Sequence, residues 1–146
     1  MIPPFGSLTG YLPRGEHRAT WDEVVQAFGF TESRKELLLG LLAACEALKL
    51  AGVTELYLDG SFATKEKNPS DYDACYSTRG VDPTKLDPVL LDLKNPRTAM
   101  KKKYRGDIFP AEAAATLIGP PYKEFFQKDK NGRKKGIVIL DLGTLP

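Results

Sequence analysis

Apolar residues recur every three or four positions between Glu32 and Ala51, which is the spacing of one face of a helix. Thr31 stands before this run as a candidate N-cap, and Gly52 follows it at the position where helices often end. Further apolar residues occupy the other faces. The pattern therefore predicts a long helix that is heavily buried.

A shorter helix is predicted just upstream, from Trp21 to about Phe28. Thr20 and Glu23 have the spacing of a capping box, in which each side chain accepts a hydrogen bond from the main chain of the other residue. Before this helix, residues 1–19 contain three prolines and three glycines. That composition predicts an irregular N-terminal arm.

Short runs of alternating or continuous apolar residues predict four strands. They are Glu55–Asp59, Asp71–Ser77, Gly106–Phe109 and Gly136–Leu142, the last of which is expected to lie inside the sheet. Helices are also predicted at Pro83–Leu93, Thr98–Tyr104 and Pro120–Gln127, and a turn at Asn131-Gly132. The alternation predicts an α/β or α+β fold, with helices packed on a mixed sheet in a single domain over residues 20–146.

The composition is typical of an ordinary globular domain: of 146 residues, 42% are hydrophobic and 27% are charged. The longest apolar run, Leu37–Cys45, has nine residues with Gly40 among them, whereas a membrane span needs about 20. The N-terminus lacks the basic and apolar regions of a signal peptide. Cys45 and Cys75 cannot form a disulfide framework and lack metal-ligand spacing. These features predict a reduced, cytoplasmic protein.

The net charge of +2 conceals an uneven distribution. Residues 94–105 include six basic residues and no acidic one: Lys94, Arg97, Lys101, Lys102, Lys103 and Arg105. A second basic cluster lies between Lys123 and Lys135. Such stretches bind polyanions, including nucleic acid or a triphosphate, or form solvated surface. The sequence leaves both interpretations open.

The candidate chemistry lies in two short segments. Asp71 and Asp73 alternate along a predicted strand, so their side chains point to the same face with Cα atoms about 6.5–7 Å apart. Two such carboxylates repel each other unless a cation lies between them, and Mg²⁺ binds through one or two carboxylates together with substrate phosphates. Gly60-Ser61 directly follows another predicted strand, where a glycine permits close approach of a phosphate and exposed amides bind anions.

Each segment also has a simpler interpretation. Asp59-Gly60 is a strong turn pair, and Pro69-Ser70-Asp71 is typical of a turn in which Asp71 bonds its own backbone. Residues 61–67 do not alternate as the returning strand of a hairpin should. The occurrence of both segments together favours a phosphate and metal site.

The spacing Gly60-Ser61, nine residues, then Asp71-Tyr72-Asp73 resembles the signature of the nucleotidyltransferase superfamily typified by DNA polymerase β. More narrowly, the chain resembles small bacterial nucleotidyltransferase-like proteins grouped as a domain of unknown function. This similarity covers almost the whole chain and is carried by residues 15–23, 58–64, 103–112, 125–129 and 136–138.

The resemblance implies a polymerase β-type core and a third carboxylate on a later strand, for which Asp107 is the best candidate by position. It also implies catalysis with two Mg²⁺ (or Mn²⁺) ions held by these aspartates, with a nucleoside triphosphate as substrate. Gly60 and Ser61 would cradle the β- and γ-phosphates. Lys65 or Lys67 would neutralise them.

The expected function is therefore transfer of a nucleoside monophosphate to a protein or RNA acceptor, such as a partner toxin or a tRNA in a toxin–antitoxin or defence system. The alternative is a catalytically inactive, antitoxin-like protein that keeps the fold and binds a partner. Phe62 departs from the basic or polar residue that small relatives often place after the Gly-Ser. Because 146 residues leave little room for an acceptor-binding domain, a partner or a second copy is expected to supply acceptor recognition.

Overall fold

The computed structural model describes residues 2–94, 96–112 and 136–146. The helix predicted at Pro120–Gln127, the turn at Asn131-Gly132 and the second basic cluster lie outside these residues. The described helices and strands follow in chain order: β1 Glu16–Ala19, α1 Trp21–Phe28, α2 Glu32–Leu50, β2 Glu55–Asp59, β3 Tyr72–Tyr76, α3 Thr98–Tyr104, β4 Gly106–Pro110 and β5 Ile137–Asp141.

The five described strands form one mixed sheet in the order β1-β5-β2-β3-β4. The β1–β5 and β3–β4 pairs are parallel, whereas β2 is antiparallel to both β5 and β3. The expected combination of helices with a mixed sheet is confirmed. The interior position of β5 is confirmed as well, since it pairs with a strand on each side.

The main core lies between the helices and one face of the sheet. Leu56 and Leu58 of β2 pack there with Ala74 of β3 and Val138 and Leu140 of β5, against the apolar faces of α1 and α2. Because side chains alternate along a strand, the residues between these positions point to the opposite face. There a smaller apolar cluster forms from Cys75, Phe109, Ala111, Tyr57 and Leu93.

The ends of the first two helices are set by the predicted caps. The Thr20 hydroxyl accepts from the Glu23 amide at 3.2 Å, and the Glu23 carboxylate accepts from the Thr20 amide at 3.1 Å, so the capping box is confirmed. Thr31 caps α2 by accepting from the Arg34 amide at 3.3 Å. After α2, Gly52 adopts a φ of 104°, which only glycine reaches without strain.

Two predicted segments differ from the structure. The arm over residues 1–19 is not irregular throughout, because residues 16–19 form β1 by pairing with β5. The helix predicted at Pro83–Leu93 is wrong: this segment forms two separate 3₁₀ turns, Pro83–Lys85 and Pro88–Leu91. Pro88 removes an amide donor and clashes with the preceding turn, so a continuous α-helix cannot pass through it.

Among the described residues, no helix combines the length and apolar character that crossing a membrane requires.

Candidate functional site

Three aspartates lie side by side on the face of the sheet opposite α1 and α2. Asp59 pairs with Asp73 across β2 and β3, and Asp73 pairs with Asp107 across β3 and β4. Directly paired residues point to the same side of a sheet, and neighbouring strands are about 4.8 Å apart. Asp71 immediately precedes β3, two positions before Asp73. The structure thus brings the predicted Asp71, Asp73 and Asp107 together.

Asp59 lies beside these aspartates as well, although the sequence predicted it only as the end of a strand or part of a turn and not as a site residue. It is almost completely buried, with 2% of its surface exposed. The alternation of Glu55, Tyr57 and Asp59 could have placed it on this face. Its alignment with Asp73, however, depends on the β2–β3 register, which the sequence does not reveal.

Gly60 brings the Gly60-Ser61 segment into contact with the Asp71/Asp73 segment. It adopts a φ of 77°, and a Cβ atom added there would lie only 2.2 Å from Oδ2 of Asp73. The carboxylate of Asp73 therefore occupies the space that any other side chain at position 60 would need. The Gly-Ser segment continues into a 3₁₀ turn at Ser61–Ala63, directly beside the acidic row.

The electrostatics of Asp71 reflect a local excess of negative charge. Burial raises the pKa of its carboxyl, and the charge of Asp107 raises it further, while Lys101 and Arg97 oppose the shift. A raised pKa means that ionising Asp71 in the folded protein costs free energy. An added cation at this position would relieve that cost.

Asp107 is held by two basic side chains from the segment that contains α3. Arg97 Nε lies 2.9 Å from Oδ1 of Asp107, and Lys101 Nζ lies 3.6 Å from Oδ2. Arg97 directly precedes α3 with a φ of 54°, and its guanidinium lies 4.9 Å from the centre of the Phe109 ring. Arg97 and Lys101 thus form part of the acidic site through their ion pairs with Asp107. The sequence did not indicate that these two cations would pair with it.

Most of the first basic cluster faces carboxylates. Besides Arg97 and Lys101, Lys103 pairs with Asp87, and Arg105 lies 3.9 Å from Glu36. The side chains of Lys101, Lys103 and Arg105 nonetheless remain 40%, 53% and 56% exposed, so pairing does not remove them from the solvated surface.

The segment after Gly60 carries the lysines predicted to meet phosphates. Lys65 and Lys67 are both exposed. The Lys65 amide donates to the Gly10 carbonyl at 3.1 Å, and the Lys65 stem lies against Gly10, so the N-terminal arm contacts this segment. Phe62 points the other way: it is fully buried, with its ring centre 5.6 Å from that of Phe28. Its side chain thus belongs to the core.

The donor set fits one hard cation better than two. Asp71 and Asp73 supply the oxygen ligands that Mg²⁺ prefers, and substrate phosphates would complete its shell. Asp107 is held by Arg97 and Lys101, so it would join a metal only after releasing them. Within the described ranges, no group of three or more His, Cys, Asp or Glu side chains is arranged to hold a metal ion.

A separate cavity of about 310 Å³ lies at the other end of the sheet, where β2 begins and β5 ends. Its charged side chains already have partners. Arg18 pairs with Glu55 at 2.6 Å, and Asp141 accepts from the Gly143 amide at 2.8 Å. The acidic row beside Gly60 is therefore the stronger candidate site.

A family model described as a family of unknown function (DUF6932) matches residues 3–141, nearly the full length of the chain. The chain belongs to this family. No curated protein and no solved structure matches it.

Proposed function

We propose that this protein is a metal-dependent nucleotidyltransferase that moves a nucleoside monophosphate from a nucleoside triphosphate to a protein or RNA acceptor. One observation carries the proposal: Asp73 lies against Gly60 and pairs with Asp107. The Gly-Ser segment, the Asp71/Asp73 pair and the third carboxylate therefore share one face of the sheet. Their spacing in the sequence resembles the signature of that superfamily, and the pairing supports the same assignment.

The roles follow from the chemistry of each group. Asp71 and Asp73 would hold Mg²⁺ or Mn²⁺, and Gly60-Ser61 would cradle the β- and γ-phosphates, with Lys65 and Lys67 at the exposed side. When bound, the ion would neutralise charge on the triphosphate and lower the proton affinity of the attacking hydroxyl. The acceptor hydroxyl would lose its proton to water, its oxygen would bond to the α-phosphorus, and the bond from that phosphorus to pyrophosphate would break. Asp71 would serve as a ligand in its ionised form, and the bound cation would oppose the rise in its pKa that burial and Asp107 cause.

We propose a role for Arg97 and Lys101 in stabilising the negative charge that develops during transfer. Both are within ion-pair distance of Asp107, whose charge in turn acts on Asp71. Placed beside a triphosphate, these cations would stabilise its negative oxygens in a partly buried environment, where electrostatic interactions are strong. Recruiting Asp107 as a ligand of a second ion would require both cations to release its carboxylate.

The alternative is a catalytically inactive, antitoxin-like interaction protein, and a specific observation favours it. The carboxylate of Asp107 already has two basic partners, and its side chain is 9% exposed. If those ion pairs persist in every state, the third carboxylate serves the fold rather than a metal.

The decisive experiment measures transfer of label from each α-³²P nucleoside triphosphate, with Mg²⁺ or Mn²⁺, to total tRNA or to the product of the neighbouring gene. We expect Asp71→Asn and Asp73→Asn to lower transfer by at least about a hundredfold, because metal ligation supplies several kcal/mol of stabilisation. The matched control is Asp92→Asn, since Asp92 is exposed and, among the described residues, accepts a hydrogen bond only from the Lys94 amide. It should retain wild-type transfer.

Two other outcomes are informative. Transfer that survives both site substitutions would exclude the proposed site. If the wild-type protein transfers no label from any triphosphate, and both site variants still bind the partner tightly, the interaction protein is the correct assignment.

A further inference from the structure

One buried side chain, Arg34 of α2, lies beneath the segment that follows Gly60. It has no exposed surface. Its guanidinium donates hydrogen bonds to main-chain carbonyl oxygens of the described residues, among them those of Phe62 at 2.8 Å, Thr64 at 2.6 Å, Glu66 at 2.8 Å and Phe28 at 3.1 Å. Three of these carbonyls belong to residues 60–67, which we call the Gly60–Lys67 loop.

Aromatic rings enclose the same guanidinium. Its central carbon lies 4.2 Å from the centre of the Phe30 ring and 5.1 Å from that of Phe62. Burial lowers the pKa of Arg34 to about 10, so the side chain remains charged at neutral pH. A buried charge is stable only when its surroundings replace water, and here carbonyl dipoles and aromatic faces do so.

The bonded carbonyls occur at alternate residues, which gives the loop a defined orientation. In a trans peptide the C=O and the following N–H point in opposite directions. Carbonyls turned towards Arg34 therefore turn the next amides away from it. The Ala63 amide donates to Gly60 at 3.1 Å, and the Lys65 amide donates to Gly10 at 3.1 Å. The carbonyl oxygens, which would repel an anion, are thereby directed into the protein.

Other contacts tie the far end of the loop to the start of α2. The Thr31 hydroxyl donates to the Lys67 carbonyl at 2.8 Å, and the Ser33 hydroxyl donates to the Asn68 side chain at 2.9 Å. The loop is therefore attached to α2 along its length. Arg34 is the only one of these α2 side chains that is fully buried and makes several bonds to the loop.

We propose that Arg34 is a positioning residue that holds the Gly60–Lys67 loop in the conformation that receives the triphosphate. The inference rests on the proposed function for its phosphate role, but the fixed loop follows from the contacts alone. The donors of a guanidinium are spread over three nitrogens in a plane and reach carbonyls that lie apart, whereas the three donors of lysine share one nitrogen. Arg34→Lys should therefore keep the charge and release part of the loop.

The test compares Arg34→Lys and Arg34→Met with Leu48→Ala. Leu48 is a fully buried residue on the same helix that does not contact the loop through hydrogen bonds. Its truncation lowers global stability by creating a cavity, so it controls for destabilisation alone. Two quantities are measured: amide hydrogen exchange of residues 61–67, and the Kd for a non-hydrolysable triphosphate with Mg²⁺.

We expect both Arg34 variants to raise loop exchange and to weaken triphosphate binding by at least about tenfold, in excess of what Leu48→Ala causes. In the wild-type protein the Ala63 and Lys65 amides, which donate to main-chain carbonyls, should exchange much more slowly than amides of an unstructured chain. Because this last measurement is made on the wild-type protein, it tests whether the loop is held in place even if Arg34→Met does not fold.

The inference is overturned if wild-type loop amides exchange as fast as those of an unstructured chain. It is also overturned if the wild type binds the triphosphate and Arg34→Lys binds it equally well. A wild type that does not bind the triphosphate overturns the proposed function and the receiving role of the loop together. Slow loop exchange in that protein, accelerated in Arg34→Lys, would still show that Arg34 holds the loop.

Discussion

Gly60 lies where the end of β2 meets the carboxylate of Asp73, and two separate properties of glycine are required there. Its φ of 77° is in the left-handed region, which costs other residues about 1–2 kcal/mol. Its missing side chain also leaves room for Oδ2 of Asp73. The first property concerns the backbone, and the second concerns the candidate site.

These two requirements can be separated by a matched pair of substitutions. Gly60→Ala should lower the free energy of unfolding by more than Gly80→Ala does. Gly80 has nearly the same φ, 76°, but a Cβ atom there would meet nothing within 4 Å. Gly80→Ala should therefore show the backbone cost of about 1–2 kcal/mol alone. Urea unfolding of both variants measures the difference. Equal losses in the free energy of unfolding would show that the contact with Asp73 does not affect stability.

Asp71 gives a prediction about pH. Its folded-state pKa is raised above the ordinary value of 3.8 by burial and by Asp107. Folding therefore favours the neutral carboxyl. The stability that this preference contributes is fully present below the unfolded-state pKa and is lost as the pH rises through the folded-state pKa. Asp71→Asn should be more stable than the wild type at pH ~7, and the advantage should shrink at pH ~3.5, where Asp71 is largely protonated.

Asp82 is the control of opposite sign. Its hydrogen bonds from the Thr84 side chain and amide lower its pKa, so its contribution to stability is present above the unfolded pKa and is lost as the pH falls. Asp82→Asn should therefore reduce stability at pH ~7, where Asp71→Asn increases it. Urea unfolding across this pH range measures both. A pH-independent effect of Asp71→Asn would contradict the shifted pKa.

Single residues were predictable where a short segment carried the signal. Gly60, Asp71 and Asp73 could be singled out because their types and spacing lie within one stretch of sequence. Asp107 needed the resemblance to a family, since a lone aspartate beside a glycine is usually a turn residue. Arg34 could not be found, because its bonding partners lie 28 to 32 positions away on a loop with no regular pattern.

At the level of elements, prediction succeeded where the stabilising contacts are local. The bounds of α1 and the start of α2 follow from caps only three residues from their partners. The segment Pro83–Leu93 was mispredicted because its apolar spacing resembles a helix, whereas Pro88 and the caps at Asp82 and Asp87 divide it into short turns. β1 was missed for a different reason, since its strand geometry depends on pairing with β5.

Helix α2 shows how packing between elements reverses a local preference. Gly40 lies inside this helix, where alanine is normally favoured by about 1 kcal/mol. A Cβ atom there, however, would lie 2.4 Å from the main-chain oxygen of Tyr104, at the end of α3. Glycine therefore permits the close approach of α2 and α3.

We expect Gly40→Ala to lower the free energy of unfolding by about 1–2 kcal/mol, because overpacking exceeds the gain in helix propensity. Ala43→Gly, at an exposed position of the same helix, serves as the control and should lose about 1 kcal/mol from propensity alone. Chemical denaturation of both variants tests the sign. A Gly40→Ala protein as stable as the wild type would show that α3 adjusts to the added methyl group.

For the whole molecule, the order of the strands is the main determinant of the site. β5 pairs with β1 and β2, so the last described strand lies between the first and second. β3 then follows β2, and β4 completes the sheet beside β3. This order places the end of β2 beside the starts of β3 and β4 and aligns one aspartate from each.

The fold also decides which charged side chains pair with one another. The near-neutral total of +2 contains a row of carboxylates and a run of cations that the fold brings against each other. Arg97 and Lys101 face Asp107, and Lys103 faces Asp87. Such partly buried pairs hold charges in specific places, whereas exposed ones contribute little.

The sequence by itself was enough to predict the helices α1, α2 and α3, most of the strands, and the two candidate segments around Gly60 and Asp73. Caps, apolar periodicity and motif spacing all act between residues that are close along the chain. Only the tertiary structure decided that Asp59 and Asp107 flank Asp73, that Arg97 holds Asp107 and that Arg34 supports the loop. These contacts depend on strand order and register, which arise when distant segments bury their apolar faces together.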